Sequence, residues 1–213
     1  MLLDRFERTV VARLAPRIFE ERPAADFGTG TGRFAIELMR LGFRVTASDA
    51  SLAMLLTTRR KLGEGKPERL DLVRGDIYSL PMKADCFSYV VCIHVLNQLG
   101  RLSDQVDAIR ELIRVCAPGG RVLFDVYNRK SLAALAPSPK TGLVNLPDLD
   151  GRLSEMDDVR VDQVTHRFAI PLTCFRLAPK SWHEKLDEFD EIGSTKASRF
   201  ATKAYYCLAK RKT

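Results

Sequence analysis

Apolar residues along this chain fall into two alternating patterns, short continuous runs and stretches in which they recur every three or four positions. The recurring pattern first occupies the N-terminal segment 1–22, where it predicts an amphipathic helix that stops before Pro16. It returns at 33–41, 51–63 and 103–116, and each of these stretches predicts another helix. The continuous runs predict strands at residues 24–28, 43–48, 70–75, 87–93 and 121–126.

Strands that alternate with helices are typical of right-handed βαβ units. The sequence therefore predicts one α/β domain over residues 1–213, with a doubly wound, mostly parallel, Rossmann-like sheet of seven strands and helices on both faces. Two final strands, at 189–194 and 199–209, have a short connection, so we expect a hairpin whose last strand runs antiparallel to the rest. Residues 129–170 contain scattered prolines and mixed polar stretches, and they are predicted to form an insertion or lid. Short helices are expected at 131–135 and 179–186.

Acidic residues stand at or near the carboxyl ends of four predicted strands. They are Asp26, Asp49, Asp76 and Asp125. Ligands of open α/β sheets bind beyond the carboxyl ends of the strands, near the point where the strand order reverses. We therefore expect these carboxylates to line the edge of a ligand cleft.

The turn after the first predicted strand carries glycine at every second position, at Gly28, Gly30 and Gly32. Glycine tolerates positive φ and lacks a Cβ, so such a turn can bend sharply and approach a ligand closely. The helix that follows would direct its unpaired N–H groups at that ligand. The sequence thus predicts a loop for a nucleotide-type cofactor.

Two kinds of cofactor fit this loop. Residues 30–35 satisfy the pattern GxGxxA, and Asp49 lies about the right distance downstream to bind a ribose hydroxyl, which favours a nicotinamide or flavin cofactor. Residues 26–32 give a fuller match to a different pattern, an acidic residue followed by GxGxG. Asp76 and Ile77 favour this second pattern, because the exocyclic amine of adenine could donate to the carboxylate while the ring lies against the isoleucine.

Together these motifs resemble the class I S-adenosylmethionine-dependent methyltransferases, of the small-molecule type that includes the quinone-biosynthesis enzymes. The resemblance covers about residues 23–126 and extends more loosely through 201–211. Besides the glycine loop, it rests on Asp49-Ala50-Ser51 with Met54-Leu55, Gly75-Asp76-Ile77, Leu80-Pro81, Asp85, Phe87 and Pro118-Gly119-Gly120. At the position after Phe87, where the family often has Asp, this chain has Ser88.

The resemblance implies S-adenosylmethionine as the cofactor, S-adenosylhomocysteine as its product and methyl transfer to a small molecule. It implies that Asp49 accepts from both ribose hydroxyls and that Asp76 and Ile77 hold adenine. Cys92 would offer its backbone near the sulfonium. The implied cofactor-binding residues are Asp26, Gly28, Thr29, Gly30, Gly32, Asp49, Ala50, Met54, Asp76, Ile77 and Cys92.

Substrate-side chemistry is expected after the fourth and fifth strands. His94 is a candidate general base or, alternatively, a hydrogen-bonded histidine at a helix start. Asn97 lies just beyond it, and Tyr127 and Asn128 follow the fifth strand. Of these, His94 and Tyr127 are the catalytic candidates. A dedicated base is optional, because amine, phenolate or enolate acceptors need little help.

The cysteine and charge content bears on disulfide and metal sites, on the cellular compartment and on the class of substrate. The chain has five cysteines and no CxxC pair, so we predict no disulfide framework and no metal site, and we expect a reducing cytoplasm. No apolar stretch has the length of a membrane span. The net charge of +7 arises mainly between residues 192 and 213. This basic tail leaves an RNA methyltransferase open, beside a non-catalytic S-adenosylmethionine-binding protein and, least favoured, a nicotinamide-dependent oxidoreductase.

Overall fold

The computed structural model describes residues 2–16, 23–62, 68–131, 142–167, 179 and 201–212. The helices are α1 (Leu2–Leu14), α2 (Arg33–Arg40), α3 (Leu52–Lys61), α4 (Leu102–Val115) and α5 (Leu146–Ser154). The strands are β1 (Ala24–Phe27), β2 (Val45–Asp49), β3 (Leu70–Arg74), β4 (Phe87–Cys92), β5 (Cys116–Asn128), β6 (Leu143–Val144), β7 (Val159–Arg167) and β8 (Lys203–Lys210). A short 3-10 helix, Leu96–Gln98, follows β4.

The sheet places strands side by side in the order β3-β2-β1-β4-β5-β8-β7, and the two-residue β6 pairs with the end of β5. Neighbours from β3 to β5 are parallel, whereas β8 is antiparallel to both β5 and β7. The prediction of a mostly parallel, doubly wound sheet with an antiparallel last strand is confirmed. The strand order reverses between β1 and β4, which is where such sheets bind ligands.

Strand β4 shows why the central sequence is almost continuously apolar. All six of its residues are buried. Tyr89 and Val91 pack in the hydrophobic cluster that includes α1 and α2, while Val90 and Cys92 pack on the opposite face with α4. A strand covered on both faces has no solvent side, so it shows no alternation of polar and apolar residues.

The predicted insertion at 129–170 is partly wrong. Its described part contains α5 and β7, and β7 extends the sheet. Both edges of β8 are occupied, by β5 and β7, so the predicted hairpin with residues 189–194 is also wrong. Six of the nine residues of β7 are polar, as suits an edge strand, and this polarity masked it in the sequence. Residues 132–135, 180–186 and 189–194 lie outside the described part.

The fifth strand also begins earlier than predicted. It starts at Cys116, so Pro118-Gly119-Gly120 lies within the strand instead of before it. The pairing of β4 with β5 shifts register between Phe87 and Tyr89, and Gly119 has a φ of 79°. Glycine allows the strand to pass this irregularity, as at other β-bulges. None of the helices that the structure describes has both the length and the apolar character needed to cross a membrane.

Candidate functional site

The glycine loop after β1 is held from below by a buried carboxylate. Asp26 is 1% exposed and accepts hydrogen bonds from the hydroxyl of Thr29 (2.6 Å) and the backbone N–H of Ala35 (2.9 Å). Burial raises the pKa of Asp26 to about 6, although both hydrogen bonds act in the opposite direction. Asp26 therefore fixes the loop to the first turn of α2 from inside the protein.

All three glycines of this loop adopt positive φ, at 71°, 54° and 80° for Gly28, Gly30 and Gly32. A Cβ at Gly28 would lie 2.1 Å from Val95, and one at Gly32 would lie 2.5 Å from Thr58. Around Gly30 there is open space. The loop thus needs glycine at two positions for packing and has an uncovered backbone at the third.

Asp49, at the end of β2, ties the loop to α3. Its two carboxylate oxygens accept from the backbone N–H groups of Gly30 and Ser51, each at 2.9 Å. Because each oxygen has a further lone pair and the residue is half-buried, the carboxylate can still accept hydrogen bonds from a ligand.

The turn after β3 carries the next acidic position. The carboxylate of Asp76 accepts from the backbone N–H of Tyr78 (3.0 Å), and Asp76 forms an isolated bridge with Ser79. Ile77 packs against the core, beside the buried Leu80. The register pairs Asp49 with Arg74, two residues before Asp76. The two carboxylates therefore belong to adjacent strands and to one side of the molecule.

These elements surround a cleft of about 620 Å³, within the range of roughly 300–1,000 Å³ that is usual for small-molecule sites. Of the predicted residues, the cleft is lined by Gly28, Thr29, Gly30, Asp49, Ala50, Met54, Asp76, Ile77 and His94. Asp26, Gly32, Cys92 and Tyr127 are absent from that lining. The Cys92 side chain is fully buried on the α4 face, and burial raises the pKa of its thiol. Ile93 and His94, the next residues along the chain, line the cleft at this position.

His94 occupies a constrained position just after β4. It has a φ of 66°, and its backbone N–H donates to a carboxylate oxygen of Asp125 at 2.7 Å. Its Nε2 lies 2.8 Å from Oε1 of Glu7, and its side chain remains 32% exposed. Residues other than glycine adopt such a φ uncommonly and need support from their surroundings. Here Asp125 and Glu7 provide that support from two sides.

A buried group of charges lies behind His94. The Lys203 ammonium is 2.8 Å from Asp125, 3.0 Å from Glu7, and 3.1 and 3.4 Å from the two ring nitrogens of His94. Burial alone would lower the pKa of Lys203, but the two carboxylates outweigh it and raise that pKa. Burial likewise opposes ionisation of Glu7, yet His94, Lys203 and Arg33 lower the pKa of its carboxyl to about 2.

Glu7, His94 and Asp125 have ligand atoms within 4.8 Å of one another, close enough to hold a metal ion. The Lys203 ammonium contacts all three residues, however. A divalent cation would have to displace a positive charge that is already paired with both carboxylates. The donor set is therefore better suited to the lysine that it holds.

The other substrate-side candidates divide by their burial. Asn128 is 1% exposed, its amide donates to the carbonyl of Ala201, and its oxygen accepts from the N–H of Lys130. This arrangement holds β5 against the start of β8, so the expected substrate contact is wrong for Asn128. The ring of Tyr127 lies 4.9 Å from the Lys203 ammonium, and burial raises the pKa of Tyr127. Asn97 is half-buried in the turn after β4.

Comparison with known proteins agrees with this geometry. The family model described as "Methyltransferase domain" matches residues 25–124, which run from β1 through most of β5. The resemblance to the class I S-adenosylmethionine-dependent methyltransferases is therefore confirmed. The nicotinamide alternative is accordingly not supported.

Two relatives illustrate the similarity in sequence and in fold. The demethylmenaquinone methyltransferase of Mycobacterium tuberculosis is 30% identical over 141 residues, which are 66% of this chain and 56% of that protein. The Haemonchus contortus phosphoethanolamine N-methyltransferase 2, solved with S-adenosylmethionine, superimposes with a TM-score of 0.69 at 16% identity. That superposition covers 98% of this chain and 53% of the other, and at this identity it shows the fold alone. The chain spans about half the length of the curated relatives it matches.

The cleft fits S-adenosylmethionine, the cofactor of the family that the chain resembles. Asp49 and Asp76 offer carboxylate oxygens toward one cavity, Ile77 and Leu80 offer apolar surface, and Gly30 leaves its backbone uncovered. A nucleoside with two ribose hydroxyls, an amine and a flat ring needs these groups. Asp49, Asp76 and Ile77 thus line one cavity.

Sequence reasoning missed two members of the charged group, Glu7 and Lys203. Glu7 stands on the polar side of an amphipathic helix, where a glutamate is normally solvated. Lys203 belongs to the basic tail, which indicated a charged surface. A lysine inside the apolar run of β8, at 203–208, was the available signal, because an unpaired lysine is rarely buried.

Proposed function

We propose that this protein transfers the methyl group of S-adenosylmethionine to a small-molecule acceptor. The observation that supports it most is the cleft that Gly30, Asp49 and Asp76 share with His94. Asp49 and Asp76 suit the adenosine end of the cofactor and Gly30 its methionine part, and His94 adds a titratable side chain at another part of the cleft wall.

In this proposal the chain mainly binds the cofactor and the methyl acceptor, orients them and excludes water. S-adenosylmethionine, when bound, supplies an electrophilic methyl group on a positively charged sulfur. Asp49 would accept from the ribose hydroxyls, and Asp76 would accept from the adenine amine. The uncovered backbone at Gly30 would lie beside the methionine part. Alignment of the two reactants can supply much of the rate acceleration, since positioning replaces a bimolecular encounter.

Where the methyl acceptor must lose a proton, we propose that His94 takes up that proton. It is the histidine of the cleft wall, and its Nε2 already faces the Glu7 carboxylate at 2.8 Å. A carboxylate at this distance would stabilise the imidazolium that proton transfer creates, as it does in other carboxylate–histidine pairs, while the Lys203 ammonium, 3.1 Å from Nδ1, would oppose it. A catalytic role for Tyr127 is not proposed, because its contacts are with Lys203 instead of the cleft.

The contacts of the basic tail favour a small-molecule acceptor over RNA. Of its basic residues in the described part, Lys203 is buried, and Lys210 lies 2.7 Å from Asp85. Two of the charges expected on a nucleic-acid surface are therefore neutralised within the protein. Nucleic-acid binding depends on unpaired cations that can contact phosphates. A cytoplasmic setting stays a prediction.

Calorimetric titration tests the proposal directly. S-adenosylmethionine and S-adenosylhomocysteine should bind, and the nicotinamide dinucleotides should not. Release of S-adenosylhomocysteine on incubation with candidate acceptors would then identify the reaction. Folded protein that binds neither sulfur cofactor would overturn the proposal, and binding without any methyl transfer across broad acceptor panels would favour the non-catalytic alternative.

A further inference from the structure

One carboxylate in the structure receives an unusually complete set of donors. Oε1 of Glu7 lies 3.0 Å from the Lys203 ammonium, 3.0 Å from the Tyr205 hydroxyl and 2.8 Å from Nε2 of His94. Oε2 accepts from the Arg33 guanidinium at 2.8 Å. We call these four partners the donor cluster, defined as Arg33, His94, Lys203 and Tyr205. Charge-assisted hydrogen bonds of this kind are the strong ones, and four of them converge on a single anion.

The donor cluster and its anion belong to different parts of the fold. Of the four donors, Arg33 begins α2, His94 follows β4, and Lys203 and Tyr205 lie on β8. These positions are all anchored at the central sheet. Glu7 comes from α1, which lies outside the sheet. The anion is thus supplied by an added helix, while the site that binds it is built into the core.

Helix α1 is held unequally along its length. Its second half is buried through Val10, Val11 and Leu14, and the Tyr89 hydroxyl donates to the carbonyl of Val11. Apart from Glu7, the paired charges of its first half are Asp4 and Arg8, whose side chains are 36% and 30% exposed. Ion pairs with that much solvent contribute little to stability. In the first half Phe6 also packs against the core, with its ring centroid 5.6 Å from that of Tyr205, so the release of Glu7 needs a shift of Phe6 while the second half can stay packed.

The donor cluster adjoins the cleft. Arg33 and His94 contact Glu7 and also line the cavity that contains Gly28 and Asp49. A small anion that replaced the Glu7 carboxylate would consequently lie beside the cofactor cleft. In such an exchange Glu7 would move and Lys203 would stay in place. Lys203 is on an internal strand, is fully buried and is paired with Asp125 on the next strand.

We propose that the donor cluster is an anion subsite of the methyl acceptor, that Glu7 fills it in the absence of the acceptor, and that the acceptor carries a carboxylate. Assigning this anion to the methyl acceptor rests on the proposed function. The capacity of the donor cluster to bind a free carboxylate does not. Because Glu7 and the incoming carboxylate have equal charge, the exchange leaves the charge balance of the buried group unchanged.

The first test measures acetate binding to Glu7→Ala by calorimetry or NMR titration. Acetate should bind saturably, with a dissociation constant on the order of 1–10 mM for so small a ligand, and acetamide should not. Wild-type protein should bind acetate at least about tenfold more weakly, since the tethered Glu7 competes for the site. Asp4→Ala is the matched control, because it also removes a carboxylate from Arg33 but at a more exposed position, and it should bind acetate no more tightly than wild type does.

The inference would be overturned if Glu7→Ala protein were folded and bound S-adenosylmethionine but failed to bind acetate, or bound acetamide equally. That outcome would leave the proposed function intact. If Glu7→Ala does not fold, wild-type protein saturated with S-adenosylhomocysteine serves instead. Benzoate, but not benzamide, should then speed amide hydrogen exchange in residues 4–9, as Glu7 leaves the donor cluster. Unchanged exchange with benzoate would refute the displacement. Absence of cofactor binding in wild-type protein would count against the proposed function alone.

Discussion

The Glu7 carboxylate lies 3.0 Å from the Lys203 ammonium, although the two residues are 196 positions apart in the chain. Both side chains are fully buried. The contact joins the N-terminal helix to an internal strand of the sheet, and Asp125 completes it from the neighbouring strand at 2.8 Å. The packing of α1 on the sheet therefore depends on one lysine that pairs with two carboxylates.

Replacing this lysine should be costly. We expect Lys203→Met to lower the free energy of unfolding by about 3–5 kcal/mol, because it removes the shared ammonium from two buried carboxylates, of which Glu7 keeps only Arg33 and His94 as basic partners. Urea denaturation measures the change. Arg44→Met is the matched control, since Arg44 pairs with Asp71 at positions 65% and 54% exposed and should change stability by less than about 1 kcal/mol. Equal effects of the two substitutions would contradict the structural role assigned to Lys203.

Asp26 should give the protein a specific pH dependence. Because its folded pKa is raised to about 6 from an ordinary value of 3.8, the folded state binds the proton more tightly than the unfolded state does. Its contribution to stability should thus be fully present below about pH 4 and be lost as the pH rises to about 6. The change at this site amounts to about 1–3 kcal/mol.

Asp26→Asn tests this assignment, because the amide keeps the shape of the side chain and can still accept from Thr29 and Ala35. We expect the variant to gain stability relative to wild type as the pH rises from 4 to 7. Denaturant melts at several pH values give the comparison. A difference between the two proteins that is the same at pH 4 and pH 7 would show that Asp26 does not titrate in this window.

Asp49 should determine cofactor affinity. We predict that Asp49→Ala weakens S-adenosylmethionine binding by about ten- to a hundredfold, since it removes charged hydrogen bonds to the ribose. Part of the loss would come from the freed N–H groups of Gly30 and Ser51. Asp71→Ala, at an exposed position of β3, is the control and should bind normally. Calorimetric titration that finds equal affinities would remove Asp49 from the site.

The glycine loop should tolerate substitution unevenly. Gly28→Ala places a methyl group 2.1 Å from Val95, whereas Gly30→Ala meets open space, and both positions have positive φ. Each substitution should cost about 1–2 kcal/mol in backbone strain, and the first should add a steric term. We expect Gly28→Ala to destabilise the protein more in thermal melts. Gly28→Ala with Val95→Ala should recover part of the difference, and no recovery would mean that the clash is absorbed elsewhere.

Local signals in the sequence were sufficient for the central half of the fold. The predicted first four strands begin and end within about two residues of β1 to β4, because each contains a short run rich in apolar residues, which is fully buried in β1 and β4. Asp49 and Asp76 could be predicted as neighbours since each follows a parallel strand. Strand β7 could not, because its polar residues face solvent at an edge of the sheet.

The sequence by itself determined the doubly wound sheet, the glycine loop and the strand-end carboxylates, because these follow from periodicity and from residues close together in the chain. Only the tertiary structure decided that Glu7, His94, Asp125 and Lys203 form one buried group beside the cleft. That convergence requires α1 to dock on the sheet and β8 to pair with β5 in a specific register. Both are long-range packing events, and they bury charges whose sequence context resembles an ordinary solvated surface.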